Sequence, residues 1–133
     1  MSNTISITTV QESRVDSIDF DTIALGRTFT DHMFVCDYEN GEWKNPRIIP
    51  MGTLPMHPAC MALHYGQALF EGMKATLSAT GIPLLFRPEK NAQRLNFSAR
   101  RLGMPEFSET LFVDALKQLV YLDQKWIPPH EGS

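Results

Sequence analysis

The chain has 133 residues, of which 43% are hydrophobic and 20% are charged, and its formal net charge at pH 7 is −3. This length suffices for one domain with a buried core, and the composition is that of an ordinary globular protein. The negative balance argues against a broad nucleic-acid-binding surface, because such surfaces need clustered lysines and arginines. We therefore expect no nucleic-acid partner.

The spacing of the cysteines and histidines argues against a CxxC motif and against a metal site. Cys36 and Cys60 are too far apart for a CxxC motif, and the four histidines show no HxxxH spacing, so we expect no metal site. The first thirteen residues lack the basic and apolar regions of a secretory signal, and no apolar run is long enough to span a bilayer. These features predict a cytoplasmic protein that is not bound to a membrane.

The first third of the chain predicts a tail followed by two strands. Residues 1–22 are rich in serine and threonine with little periodicity, so we predict a flexible segment there and a domain over 23–133. Threonine, phenylalanine, valine and tyrosine dominate residues 27–38, and Phe29, Met33 and Val35 share one side of a period-two pattern, which is typical of a strand. Asn40-Gly41 then predicts a tight turn, and residues 43–49 a returning strand.

The middle of the chain predicts a short helix and a second hairpin. Apolar residues recur at helical intervals over residues 59–70, and Gly72 is expected to end that helix. Residues 73–77 and 83–86 are short apolar runs on either side of a four-residue turn.

The last third predicts two helices. Residues 87–102 form the clearest helical pattern, with Pro88 in the first turn and Gly103 at the C-terminal cap position. A second helix is predicted over 109–126, capped by Ser108. Its inward face is predicted to consist of five apolar side chains: Phe112, Ala115, Leu116, Leu119 and Leu122.

Together these elements predict an α+β fold. Strands, a hairpin and then two helices favour a two-layer sandwich, with a mainly antiparallel sheet and helices packed on one side. The chain has no glycine-rich phosphate loop of the GxGxxG or GxxxxGK type, so a dinucleotide-binding fold is disfavoured.

Arg94 is a candidate for binding an anion. It lies in the middle of a predicted helix, with Asn91 one turn before it and Ser98 one turn after it. A guanidinium can bind phosphate through two parallel hydrogen bonds, and it keeps its charge at any working pH. The spacing alone, however, favours a surface arginine on an amphipathic helix.

The segment HYGQALFEGMK, residues 64–74, is the second candidate. Tyr65 and Phe70 stand beside glycines, including Gly72, and such groups can wall a small apolar pocket that a substrate enters. From the residues alone, core packing and a turn are the favoured interpretation.

These two motifs together resemble the small domain of the branched-chain aminotransferases, pyridoxal 5′-phosphate (PLP) enzymes of fold type IV. The pattern FxP…NxxR of that family stands here as Phe86-Arg87-Pro88 with Asn91 and Arg94, and the resemblance runs from about Leu25 to Trp126. It implies that Arg94 binds the cofactor phosphate. It also implies that Tyr65, Phe70 and Gly72 line the substrate pocket.

The resemblance also implies what these 133 residues do not supply. The Schiff-base lysine of the family lies far downstream in a large domain, so we assign no catalytic residue here and reject Lys74 for that role. We expect this polypeptide alone to bind PLP weakly or not at all and to have no transaminase activity. In one subgroup an aromatic residue stands at the position of Leu25, so its contact with substrate is expected to be altered.

The function that the resemblance implies is amino transfer between leucine, isoleucine or valine and 2-oxoglutarate by a homodimer. Two alternatives within the fold are a D-amino-acid aminotransferase and an aminodeoxychorismate lyase. A third is a truncated product or a non-catalytic module for binding or dimerisation.

Overall fold

The computed structural model describes residues 4–24 and 26–128. Within them, no helix is long and apolar enough to cross a membrane. In chain order the strands and α-helices are β1 (Ser6–Ile7), β2 (His32–Glu39), β3 (Glu42–Pro50), α1 (Met61–Tyr65), β4 (Ala75–Leu77), β5 (Pro83–Leu85), α2 (Pro88–Arg101) and α3 (Glu109–Leu122). The described residues also contain a 3₁₀ turn at Val15–Ser17 and a last helical turn, also 3₁₀, at Gln124–Trp126.

Strands β2 and β3 form the predicted antiparallel hairpin. Asn40 and Gly41 both have positive φ, 53° and 84°, which is the geometry that matches the twist of the flanking strands. Strand β2 begins five residues later than predicted. The carbonyl groups of Phe29 and Thr30 accept hydrogen bonds from the Arg14 guanidinium, so this part of the chain contacts the N-terminal segment and not a neighbouring strand.

The N-terminal segment adds a third strand. Strand β1 pairs in parallel with β3, with Ile7 opposite Ile48, and gives the sheet order β1-β3-β2. Ile5 is buried in the core beside Ile48. This packing differs from the flexible segment predicted over residues 1–22, because a two-residue strand is too short to leave a periodic signal. The boundary at residue 23 stays a prediction.

The core lies between this sheet and α3, so the predicted α+β two-layer fold is confirmed. Ile48 is fully buried and packs with Leu111 and Ala115 of α3. The Ser108 side chain caps α3, as predicted, by accepting from the Leu111 N–H. Of the five predicted inward residues only Ala115 is buried, and the other four are partly buried; Val113 is buried as well as Leu111.

Helix α1 is shorter than predicted. It ends at Tyr65, because Gly66 takes a left-handed conformation with φ of 63° and caps the helix. Residues 67–74 have no helical or strand structure and lead into the β4–β5 hairpin. Helix α2 begins at Pro88 and ends at Arg101, within one residue of the prediction at each end.

Asp31 is the centre of a buried hydrogen-bond network. Its carboxylate accepts from Ser13 Oγ (2.6 Å), from Arg14 N (3.2 Å) and Nε (3.4 Å), and from Trp126 Nε1 (2.9 Å). Burial alone would raise the pKa of Asp31, but the hydrogen bonds from Ser13, Trp126 and Arg14 outweigh it and lower the pKa to about 2. The network joins the N-terminal segment to the end of the last helical turn.

His32 forms a second buried network beside the first. Its Nδ1 lies 2.6 Å from Asp123 Oδ1, and its backbone N–H donates to Asp123 Oδ2 at 3.0 Å. The Val10 N–H donates to His32 Nε2 at 3.0 Å, so Nε2 is an acceptor and Nδ1 carries the proton. The ring connects the N-terminal segment to the C-terminal end of α3.

Candidate functional site

The candidate site is built where residues 66–74, hereafter the 66–74 loop, lie along helix α2. Gln67 Nε2 donates to the Leu102 carbonyl (3.0 Å) at the C-terminal end of the helix. Asn91 Nδ2 donates to the Gly72 carbonyl (3.1 Å) near its N-terminal end. The loop therefore runs antiparallel to α2 and is fixed to it at both ends.

Glu71 joins the loop to the face of α2 that carries the predicted anion-binding residue. Arg94 donates to its carboxylate twice, from Nε (2.5 Å) and from Nη2 (2.8 Å), and Asn91 Nδ2 donates a third bond at 2.6 Å. The Glu71 side chain is only 9% exposed, whereas that of Arg94 is 64% exposed. The result is a two-pronged ion pair with its acid buried and its base at the surface.

This pair is ionised at neutral pH. Hydrogen bonds from Arg94 lower the pKa of Glu71, burial opposes them, and the Asn91 bond lowers the pKa further. The same carboxylate raises the pKa of Arg94. Because the folded-state pKa of Glu71 is lowered, its contribution to stability is present above the ordinary carboxyl pKa and is lost as the pH falls below it.

The remaining donors of Arg94 fit a phosphate group. A guanidinium has five N–H groups, and Glu71 takes the one on Nε and one on Nη2. Both Nη1 hydrogens and the second Nη2 hydrogen make no hydrogen bond to the described residues. One Nη1 hydrogen and the second Nη2 hydrogen form the outer edge of the guanidinium, which can bind two oxygens of one phosphate while Glu71 stays bound.

The three residues predicted to line a substrate pocket lie on or next to the 66–74 loop. Phe70 is 92% exposed, and a Cβ on Gly72 would come within 3.3 Å of the Phe70 ring, so the ring folds back over the glycine. Glu71 thus links Phe70 and Gly72 to Arg94. Tyr65, the last residue of α1, is 79% exposed and makes no hydrogen bond or ring contact with this group among the described residues.

These residues line none of four cavities of 220 to 630 Å³ in the described part of the chain: Tyr65, Phe70, Gly72 and Arg94 are absent from the lining of each of the four. The roles of the four residues therefore stay predictions. Leu25, whose contact was expected to be altered, lies outside the described residues.

Sequence reasoning missed Glu71, which stood out only as an ionisable residue within the motif. One signal could have found it. Arg94 has no acidic residue three or four positions away on α2, where Lys90, Asn91, Phe97 and Ser98 stand. A conformationally fixed arginine on that face must therefore find its acid in another segment.

Comparison with known proteins identifies the chain's family. No family model matches it. Over 112 residues it is 53% identical to "Branched-chain-amino-acid aminotransferase 2" of Bacillus subtilis (strain 168), covering 84% of this chain and 31% of the relative. It is 48% identical over 109 residues to the "Branched-chain-amino-acid aminotransferase" of Mycolicibacterium smegmatis, covering 81% and 30%. The chain belongs to the branched-chain aminotransferase family.

The predicted family resemblance is thereby confirmed, and these relatives are transferases by name. A second relative from B. subtilis, "Branched-chain-amino-acid transaminase 1", is 47% identical over 116 residues and is covered over 33% of its length. The chain spans about a third of the length of the curated branched-chain aminotransferases that it matches.

Proposed function

We propose that this chain forms part of a PLP-dependent aminotransferase of fold type IV, which exchanges an amino group between leucine, isoleucine or valine and 2-oxoglutarate. We further propose a cytoplasmic homodimer as the active form. The observation that supports the cofactor site best is the outer edge of Arg94, which remains available for an anion while Glu71 holds the inner one. The names of the relatives support branched-chain substrates over D-amino acids or aminodeoxychorismate.

Each site residue has a distinct role in this proposal. Arg94 binds the phosphate of PLP, a cofactor that stores the electrons of the reaction in its ring when bound. Phe70 and Tyr65 present apolar rings to the aliphatic side chain, and Gly72 leaves space for the Phe70 ring. Burial of each methylene contributes about 0.8 kcal/mol, which favours leucine, isoleucine and valine over smaller amino acids.

We expect the 133-residue polypeptide by itself to show no transaminase activity. Lys74 is exposed next to β4, and no residue described above is proposed to bond the cofactor. The measurement is a coupled assay of glutamate formation from leucine and 2-oxoglutarate with added PLP. A rate above that of free PLP alone would contradict the division of roles proposed here.

The role of Arg94 is tested by comparing two ligands that differ only in the phosphate. Pyridoxamine 5′-phosphate and pyridoxamine are titrated into the polypeptide, and binding is followed by NMR chemical shifts. We expect weak binding of the phosphorylated ligand and about a tenfold loss of affinity in Arg94→Ala, since a charge-assisted hydrogen bond at an exposed site contributes about 1.4 kcal/mol.

The control for this experiment is Arg101→Ala, which removes the same charge from an exposed position two turns further along α2. It should leave the affinity for the phosphorylated ligand within about twofold of the original, because long-range charge effects at the surface are screened. Equal affinity of Arg94→Ala and the unsubstituted polypeptide for pyridoxamine 5′-phosphate would refute the proposed cofactor site.

A further inference from the structure

The Arg94 side chain presents a problem of orientation. It is 64% exposed on the surface of α2, and an arginine side chain loses considerable rotamer freedom when it is fixed in one geometry. A ligand that had to order this side chain would bind correspondingly less tightly. In the structure the ordering is already present, because Glu71 accepts from both Nε and Nη2.

Glu71 is itself held in place. Its side chain is 9% exposed, Asn91 donates to its Oε2 at 2.6 Å, and the same Asn91 amide donates to the Gly72 carbonyl at 3.1 Å. Asn91 lies one helical turn before Arg94, so both donors come from a single rigid element. The carboxylate is therefore fixed by α2 on one side and by the 66–74 loop on the other.

We propose that Glu71 is a positioning residue, whose carboxylate orders the Arg94 guanidinium so that its outer edge forms a ready-made two-pronged donor for a phosphate monoester. This inference rests on the proposed function and adds to it a residue with no direct contact to the cofactor. The 66–74 loop would then have two roles, carried by adjacent residues: Phe70 faces the substrate, and Glu71 orients Arg94.

Electrostatic repulsion between Glu71 and a bound phosphate opposes the positioning effect, and the two effects can be distinguished by experiment. The Glu71 carboxylate is negative, so it repels a phosphate dianion bound to the far side of Arg94. If repulsion dominated, removal of the charge would tighten phosphate binding. If positioning dominates, loss of the two-pronged contact weakens binding. The two effects predict opposite signs for Glu71→Gln.

Two variants separate charge from orientation. Glu71→Gln keeps the size of the side chain, but it removes the charge and leaves one oxygen for donors that now bind two. Glu71→Asp keeps the charge and shortens the reach by one methylene. The matched control is Glu89→Gln, which removes the same charge from an exposed position in the first turn of α2.

The first readout needs no ligand. The NMR signal of the Arg94 Nε–H reports whether this proton is hydrogen-bonded, through its rate of exchange with water. We expect exchange to become several-fold faster in both Glu71 variants and to stay unchanged in Glu89→Gln. An unchanged exchange rate in both Glu71 variants would overturn the proposal, because Arg94 would then be ordered without Glu71.

The second readout is the affinity for pyridoxamine 5′-phosphate. We expect about a threefold loss in Glu71→Gln and in Glu71→Asp, and none in Glu89→Gln. In the background of Arg94→Ala, the Glu71→Gln substitution should have no further effect, because the two residues act as one unit. Equal or tighter binding by Glu71→Gln and Glu71→Asp would overturn the positioning role.

The outcomes distinguish this inference from the function on which it rests. A loss of affinity in Arg94→Ala with none in either Glu71 variant removes the positioning role and leaves the cofactor site standing. No loss in Arg94→Ala refutes the cofactor site itself. Circular dichroism of each variant confirms the folded state, and if Glu71→Gln fails to fold, the charge-conserving Glu71→Asp decides the matter alone.

Discussion

Replacement of Asp31 by asparagine is expected to lower the free energy of unfolding by about 3 kcal/mol. Asp31 is 3% exposed, and each of its carboxylate oxygens accepts two hydrogen bonds. An asparagine places its NH₂ group against one of these pairs of donors. Either Trp126 and Ser13 or the two Arg14 groups then lose an acceptor within a buried region.

The measurement for Asp31→Asn is urea denaturation followed by circular dichroism and tryptophan fluorescence. Asp37→Asn is the matched control, since Asp37 forms a more exposed ion pair with Arg47 at 2.6 Å and should cost less than about 1 kcal/mol. Similar losses in the two variants would show that the buried network contributes no more than a surface ion pair.

At acid pH, the free energies of unfolding of Asp31→Asn and the unsubstituted protein should differ by less than they do at neutral pH. The pKa of Asp31 is lowered from 3.8 to about 2, so the ionised carboxylate contributes about 2 kcal/mol of stability above pH 4. This contribution is lost as the pH falls from about 4 through 2, and the asparagine variant has no such loss at this position. Denaturation curves at pH 6 and pH 2.5 measure the change.

Replacement of Asp123 by alanine is expected to cost a similar amount, about 3 kcal/mol. Both oxygens of this buried carboxylate accept from His32, one from Nδ1 at 2.6 Å and one from the backbone N–H at 3.0 Å. Without them the ring is free to turn, so the Val10 N–H also loses its acceptor. The substitution therefore acts on the N-terminal segment, far from its own position in the sequence.

Hydrogen exchange of the Val10 amide separates this mechanism from a general loss of stability. In Asp123→Ala the Val10 amide should exchange faster than the amides of β2, because its opening no longer requires global unfolding. Asp114→Ala, at an exposed position on α3, should change the stability by less than about 0.5 kcal/mol. A Val10 amide that exchanges no faster in Asp123→Ala than in the unsubstituted protein would contradict the prediction.

The elements that sequence reasoning predicted well are those encoded by neighbouring residues. Asn40-Gly41 specifies a turn with positive φ at both residues, a conformation that glycine and asparagine adopt readily. The positions of the flanking strands follow from this turn. Pro88 and Gly103 delimit α2 in the same local way. Strand β1 depends instead on pairing between Ile7 and Ile48, which no local pattern reveals.

In the candidate site, too, the residue found from a local pattern was predicted and the one that depends on a distant contact was not. Arg94 was predicted from a pattern of residues within one helix and from the family that shares it. Glu71 was missed, because its contact with Arg94 joins positions 23 residues apart, which only the folded loop brings together. The prediction of a helix through Phe70 was a second reason. In the structure α1 ends at Tyr65, and the 66–74 loop that carries Glu71 begins with the cap residue Gly66.

The two adjacent residues Asp31 and His32 join segments near the two ends of the described chain, and this arrangement sets an order of events during synthesis. Their partners include Val10 and Ser13, which are translated first, and Asp123 and Trp126, which come 91 and 95 residues later. At about 5–20 residues per second, Asp31 precedes the indole that binds it by roughly 5–20 s. The nascent domain therefore completes both networks only after its last helical turn has left the ribosome.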